Sequence, residues 1–156
     1  MNRRTALALF ALLTLPQFAV APAPTPALAA DPEIFTGLVA GTAVGGYDAA
    51  AYHTQSMPVQ GSTEFTYQWK GAEWRFASRE NLEAFRADPA AYAPQFGGYC
   101  AYGVAKGYAV KGEPEVWKVV DGKLYLNYDE RVQRSWESDF SGYIAEAGAR
   151  WPDVLQ

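Results

Sequence analysis

The stretch FTYQWKGAEWRFA, residues 65 to 77, constrains the fold more than any other part of this chain. Its aromatic residues alternate with polar ones, which is the period of a half-buried β-strand. Residues 70 to 73 (KGAE) interrupt the alternation and predict a turn. A second stretch, VWKVVDGKLYLNY at residues 116 to 128, alternates in the same way around Asp121-Gly122, a strong two-residue turn signal. The sequence therefore predicts two antiparallel β-hairpins.

Helical signals follow each hairpin. Ser78 can cap a short helix over residues 78 to 88, with Leu82 and Phe85 at helical spacing, and Asp88-Pro89 starts another turn of helix. Residues 130 to 149 place an apolar residue about every four positions and predict one long C-terminal helix. No internal repeat is evident. The expected fold is a small single α+β domain of antiparallel β-hairpins packed against helices.

The N-terminal residues have the features of an export signal. Arg3-Arg4 precede a short apolar run, and Ala27-Leu28-Ala29 is a signal-peptidase pattern. We expect a signal peptide over residues 1–30, cleaved after Ala29 or Ala30, and a periplasmic or secreted product. The arginine pair also fits in part the twin-arginine route. Residues 31–45 are then a loosely packed lead-in, and residues 46–152 form the domain.

The net charge of the chain limits the classes of molecule that it is expected to bind. The whole chain has 13 basic and 17 acidic residues, a net charge of −4. Loss of Arg3 and Arg4 with the signal peptide leaves 11 basic against 17 acidic residues, a net charge of −6. An acidic surface disfavours nucleic acid and anionic membranes. No later segment is apolar enough to predict a membrane span, and the sequence does not identify a protein partner.

Several motifs together resemble the exported YHS-domain proteins of bacteria. They are GYDAAAYH, YQWKGAEWRFASRENLEAFRADPAAYAP, QFGGYCAYG, DGKLYLNY and the closing WP, over about residues 46 to 152. The resemblance implies metal handling through cysteines in a turn that reads F-C-S-x-x-C. Here Ala77 and Asn81 stand at the two cysteine positions. The metal site that the resemblance implies therefore lacks both thiolates.

Cys100 is the single cysteine, in the stretch PQFGGYCAYG, and three interpretations of it stay open. As a metal ligand it would join His53 and Met57, and this Cys, His and Met set suits copper, particularly Cu(I). As a nucleophile it would need His53 as its base, with Asp48 orienting the histidine. As a core residue it would be a small buried apolar group, as free cysteines commonly are.

Tyrosines near glycines and prolines suggest a fourth possibility, a pocket for a small molecule. The candidates are Tyr47, Tyr52, Tyr99 and Tyr102. Trp69, Trp74, Trp117 and Trp136 are assigned to the core. Of these functions, the sequence favours a non-enzymatic protein that binds a transition metal, copper first. The alternative is a periplasmic module that binds a small molecule or a protein, holds no metal and keeps Cys100 in its core.

Overall fold

The computed structural model describes residues 29–156, so the predicted signal peptide lies outside the described residues except for Ala29 and Ala30. The described part is an α+β domain, which confirms the predicted class. The strands are β1 (Ser62–Trp69), β2 (Ala72–Phe76), β3 (Glu113–Val120) and β4 (Lys123–Asn127). The helices are α1 (Ala51–Thr54), α2 (Arg79–Ala87), α3 (Pro89–Tyr92), α4 (Ala101–Ala105), α5 (Glu130–Glu137) and α6 (Phe140–Arg150). Within residues 29–156, no helix has the length and apolar character needed to cross a membrane.

Both predicted hairpins are confirmed. β1 pairs antiparallel with β2, and β3 pairs antiparallel with β4. The first turn contains two residues, Lys70-Gly71, and is shorter than the predicted turn over residues 70 to 73, because Ala72 already pairs with Trp69. Lys70 and Gly71 have φ of +48° and +74°, and Asp121 and Gly122 have φ of +50° and +73°. Positive φ at both central residues matches the right-handed twist of the strands.

The C-terminal segment is mostly helical, as predicted, but it forms two helices rather than one long helix. The helical segment is broken between α5 and α6, where Asp139 takes a non-helical ψ of 60°. Its carboxylate accepts a hydrogen bond from the amide of Gly142 at 3.1 Å. A short acceptor side chain at this position offers the backbone a capping bond in place of a helical one. The apolar stripe still packs inward, because Trp136 is fully buried against Tyr125 of β4.

The lead-in, which was expected to be loosely packed, contributes several residues to the core. Ile34, Ala43 and Val44 are buried in the same core as the aromatic residues of β2 and α2. Thr42 forms a parallel bridge with Glu73. The first hairpin is only two-stranded, so its apolar face needs a further covering segment. Residues 34 to 44 supply part of that cover.

One arrangement of elements occurs twice in the described residues, although no internal repeat was predicted. The first unit (residues 43–87) and the second unit (residues 95–137) each have a 3-10 turn, a short helix, a hairpin and a capped helix. In both units an eight-residue strand pairs with a five-residue strand. The 3-10 turns are Ala43–Gly46 and Gln95–Gly98. Each contains three consecutive residues with positive φ.

Matching backbone hydrogen bonds support this equivalence. The corresponding bonds are Gly61 N to Gly46 O at 2.9 Å and Gly112 N to Gly98 O at 3.2 Å, then Asp48 N to Val59 O at 2.8 Å and Cys100 N to Val110 O at 2.9 Å. The sequence signal for the repeat is short: GGYDA at residues 45 to 49 and GGYCA at residues 97 to 101. Cys100 therefore holds in the second unit the place that Asp48 holds in the first.

Candidate functional site

Asp48 is completely buried and accepts four hydrogen bonds. Its Oδ1 accepts from the amides of Ala50 at 2.9 Å and Ala51 at 3.2 Å, at the start of α1. Its Oδ2 accepts from the amide of Ala77 at 2.8 Å and from Nδ2 of Asn81 at 2.7 Å. This carboxylate thus connects the start of α1 with the turn that leads from β2 into α2. We call these four bonds the Asp48 clamp.

The Asp48 clamp bears directly on the metal site that the family resemblance implies. Ala77 and Asn81, the two positions of the expected cysteines, both donate to the same carboxylate oxygen. Neither residue supplies a thiolate, and the four bonds to Asp48 fill the usual acceptor capacity of a carboxylate. The residues at this turn therefore do not fit a soft metal ion.

Cys100 is buried as well, with 1% of its surface exposed. Its thiol donates to Oδ1 of Asn127 at a sulfur–oxygen distance of 3.7 Å, and its sulfur accepts from the amide of Gly103 at 3.3 Å. Burial raises the pKa of the Cys100 thiol, and smaller contributions from backbone amides oppose the shift. Cys100 is therefore a protonated thiol at neutral pH and caps the start of α4.

The second unit has no counterpart of the Asn81 side chain. Asn81 is the third residue after the capping residue Ser78, and Val132 is the third after the capping residue Asp129. Valine has no polar atom to offer Cys100, and a cavity of about 240 Å³ lies beside the thiol. Its lining residues are Cys100, Tyr102, Gly103, Lys106, Tyr108, Val110, Tyr128 and Val132. We call this space the Cys100 cavity.

Exposed apolar side chains surround the same cavity. Among the described residues, five large hydrophobic side chains are exposed, and three of them line the Cys100 cavity: Tyr108 (65%), Val110 (38%) and Tyr128 (45%). Single exposed apolar residues are ordinary, whereas a contiguous group marks a binding surface. Their grouping around one cavity makes this the candidate functional site.

Asn127 stands next to this cavity and was not a candidate from the sequence. It is fully buried, and its Oδ1 accepts from the Cys100 thiol and from the amide of Tyr102 at 3.3 Å. Its Nδ2 has no hydrogen-bond partner. A buried donor without a partner is uncommon. Asn127 is the last residue of β4, and no motif in the sequence marks it.

His53 and Met57 do not join Cys100 in the contacts of the thiol. His53 belongs to α1, and its ring packs edge-on against Tyr92 at 5.5 Å. Burial lowers the pKa of His53, with a smaller opposing effect from the Tyr92 backbone. Met57 is half exposed and lies beyond Thr54, where α1 ends, so it does not share a helical face with His53. Within residues 29–156, no group of three or more His, Cys, Asp or Glu side chains is placed to hold a metal ion.

The four tyrosines suggested as ligand contacts lie in different surroundings. Tyr52 and Tyr99 are buried, and their hydroxyls donate to backbone oxygens of Pro114 and Pro32, each at 2.8 Å. The hydroxyl of Tyr47 donates to Glu115 at 3.1 Å. Of the four, only Tyr102 lines the Cys100 cavity.

Fold and site together define a small α+β domain of two hairpin-and-helix units, one closed by a polar clamp and one bearing an apolar cavity. Comparison with protein families agrees with the resemblance seen in the sequence: residues 50–96 match the family model of the YHS domain. Residues 50–96 are thus similar to the YHS domain, and this matched segment falls mainly in the first unit. No curated protein and no solved structure matches the chain. Asp48 and all the lining residues of the Cys100 cavity, including Cys100, lie outside the matched segment.

Proposed function

We propose that this protein is an exported, non-catalytic binding module that takes up a small neutral apolar molecule in the Cys100 cavity. The observation that carries the proposal is the grouping of Tyr108, Val110 and Tyr128, exposed apolar side chains, around one cavity with a buried thiol in its wall. Exposed apolar surface costs solubility, so its concentration at a concave site favours a ligand that covers it.

The chemistry of the wall indicates a neutral ligand. The one charged residue in the lining is Lys106, and its ammonium group is already engaged. It lies 4.5 Å from the ring centroid of Tyr143 and 3.5 Å from Oε2 of Glu146. The remaining lining offers tyrosine rings, valine methyl groups and the protonated thiol. A volume of about 240 Å³ suits a molecule with a single ring or a short alkyl chain.

Copper binding, which the sequence favoured, receives less support from the lining of the Cys100 cavity. Cu(I) prefers several soft donors, and the lining contains one sulfur together with tyrosines and valines. The raised pKa of Cys100 adds a cost for forming the thiolate that a metal would need. The copper hypothesis is therefore a comparison arm of the experiment below.

The partners of the thiol support the non-catalytic part of the proposal. A cysteine nucleophile needs a nearby base to take its proton. The Cys100 thiol instead donates to the amide oxygen of Asn127, which does not accept a proton at neutral pH. His53 has its own contacts on α1.

Export is the part of the proposal that rests on the sequence alone. The mature chain should begin at Ala30 or Asp31 and appear in the periplasm or the medium. N-terminal sequencing of the protein from a fractionated cell tests this. Recovery of an intact Met1 on a cytoplasmic protein would contradict it.

The binding experiment uses the chain from Asp31 to Gln156, labelled with ¹⁵N and titrated with p-cresol, indole and 1-hexanol. We expect saturable shifts of the amide signals of Gly103, Val110 and Val132. The key variant is Cys100→Asp/Val132→Asn, which copies the polar pair Asp48 and Asn81 into the second unit. It should fold and lose binding at least about tenfold, because charged and amide groups cannot be desolvated by an apolar ligand without cost.

Two further variants make the result specific. Val132→Phe should fill the Cys100 cavity and abolish binding, whereas Val39→Phe adds the same ring at an exposed position outside the cavity lining and should leave affinity unchanged. Equal binding by all variants, or no saturable shifts in the wild type, would refute the proposal. A parallel Cu(I) titration that gives tight binding dependent on Cys100 would favour the metal function instead.

A further inference from the structure

A second, separate cleft lies at the tip of the first hairpin. It has a volume of about 150 Å³ and shares no lining residue with the Cys100 cavity. Three aromatic side chains line it, those of Trp69, Phe96 and Trp151. The lead-in contributes Glu33 and the hairpin turn contributes Lys70, and these are the two charged residues in the lining. We call this space the tryptophan cleft.

The protein places its own ammonium group in this cleft. Nζ of Lys70 lies 5.0 Å from the ring centroid of Trp69 and forms an ion pair with Glu33. This is the arrangement in which an aromatic face and a carboxylate recognise a cation together. Lys70 thus shows which chemistry the cleft accommodates.

The internal lysine is also easy to displace. The side chains of Lys70 and Glu33 are 43% and 49% exposed, and ion pairs of this exposure contribute between about 0 and 1 kcal/mol. If Lys70 turned toward solvent, the Glu33 carboxylate would be left unpaired beside the aromatic rings. The net charge of −6 over the residues that follow the predicted signal peptide adds to the attraction for a cation.

We propose that the tryptophan cleft binds a compact alkylammonium group, which displaces the ammonium of Lys70 from Trp69 and pairs with Glu33. A methylated ammonium group fits the small volume. It is weakly hydrated, so it loses less hydration free energy than a primary ammonium group when it leaves water. Trp151 and Phe96 supply apolar surface for the methyl groups. Lys70 then acts as an internal competitor that sets the affinity of the cleft.

The test uses tetramethylammonium and choline, with the neutral analogue 3,3-dimethylbutanol as the control for charge. The readout is the indole N–H signals of Trp69 and Trp151 in the ¹⁵N-labelled protein. We expect saturable shifts with both cations at constant ionic strength and none with the alcohol. Glu33→Gln should weaken binding about five- to tenfold, as expected for loss of a partly exposed counter-charge.

Lys70→Gln provides the sharpest outcome, because it should strengthen binding about two- to fivefold by removing the competitor. Lys123→Gln, at the base of the other hairpin turn, is the matched control and should change nothing. Trp69→Leu should abolish binding, with circular dichroism confirming the fold. The proposal is overturned if the alcohol binds as well as the cations, if the indole signals do not respond, or if Lys70→Gln weakens binding.

Discussion

Replacing Asp48 by asparagine should strongly destabilise the protein, although the two side chains have nearly the same shape. The carboxylate accepts two hydrogen bonds on each oxygen. An asparagine keeps one oxygen, and its NH₂ group must then face two donors. These are either the amides of Ala50 and Ala51 or those of Ala77 and Asn81. In the first orientation two backbone donors lose their acceptor. In the second, the Asn81 side-chain amide can rotate so that its oxygen accepts from the new NH₂ group, and the Ala77 amide alone loses its acceptor.

The magnitude follows from the less costly second orientation. A hydrogen bond to a charged group contributes about 1.5 to 3 kcal/mol and a neutral one about 1 kcal/mol, so losing one bond and making the other three neutral predicts about 3 to 6 kcal/mol in total. Domains of this size are stable by about 5 to 15 kcal/mol in total. Urea unfolding followed by tryptophan fluorescence should show the change. With a slope of about 2 kcal/mol per molar urea, the midpoint should fall by roughly 1.5 to 3 M.

Asp139→Asn is the matched control. Asp139 is exposed and accepts one backbone hydrogen bond at the start of α6, a position where asparagine caps as well as aspartate. The free energy of unfolding of the Asp139→Asn variant should differ from that of the wild type by less than about 0.5 kcal/mol. If Asp48→Asn stays within about 1 kcal/mol of the wild type, the reasoning about the Asp48 clamp is wrong.

Three further predictions test other parts of the structure. Cys100→Ser buries a hydroxyl in place of the thiol and should cost about 1 to 3 kcal/mol in unfolding free energy, with equal Cu(I) affinity before and after; a large loss of Cu(I) affinity would restore the metal hypothesis. The pKa of His53 is lower in the folded protein than in the unfolded chain, so near the ordinary histidine pKa the unfolded chain binds more protons. The free energy of unfolding should therefore decrease as the pH falls from 7 through about 6.5, and it should level off below the folded-state pKa. Unfolding at several pH values should show a weaker slope in His53→Gln, and an unchanged slope would contradict this. Gly97→Ala would place a Cβ 1.7 Å from the carbonyl oxygen of Glu33 at a φ of +62°, and should lower the free energy of unfolding by more than about 2 kcal/mol. Gly148→Ala in α6 has open space around the new Cβ and should raise it by about 0.5 to 1 kcal/mol. Thermal melts of the two variants measure both changes.

Local sequence patterns were sufficient for the two hairpins and for α2. Alternation around Lys70-Gly71 and Asp121-Gly122 depends only on neighbouring residues, and the structure has both hairpins at the predicted places. The C-terminal helix was different, because the apolar stripe continues through Ser138 and Asp139 while the cap at Asp139 breaks the backbone. Periodicity reports which face is buried and does not report whether one helix or two supplies it.

The candidate site depended on contacts that local patterns do not contain. His53 and Met57 were grouped with Cys100 by ligand type alone, and because α1 ends at Thr54, their four-residue spacing does not place them on one helical face. The importance of Asp48 was missed for a related reason. Its four donors come from two segments nearly thirty residues apart, and only the fold brings Asn81 to it.

The repeat identifies the structural position of the single cysteine. GGYDA and GGYCA are too short to establish a repeat by themselves, but the matching 3-10 turns, backbone bonds and strand lengths make Asp48 and Cys100 equivalent. The two units then serve as controls for each other. A carboxylate with an asparagine side chain closes the first unit, and the same backbone geometry in the second holds a thiol with Val132 and leaves space beside it. The first unit shows that an aspartate–asparagine pair fits this backbone, so stability alone does not require the thiol and the valine in the second unit. We infer that a ligand in the Cys100 cavity is the physical reason for the difference.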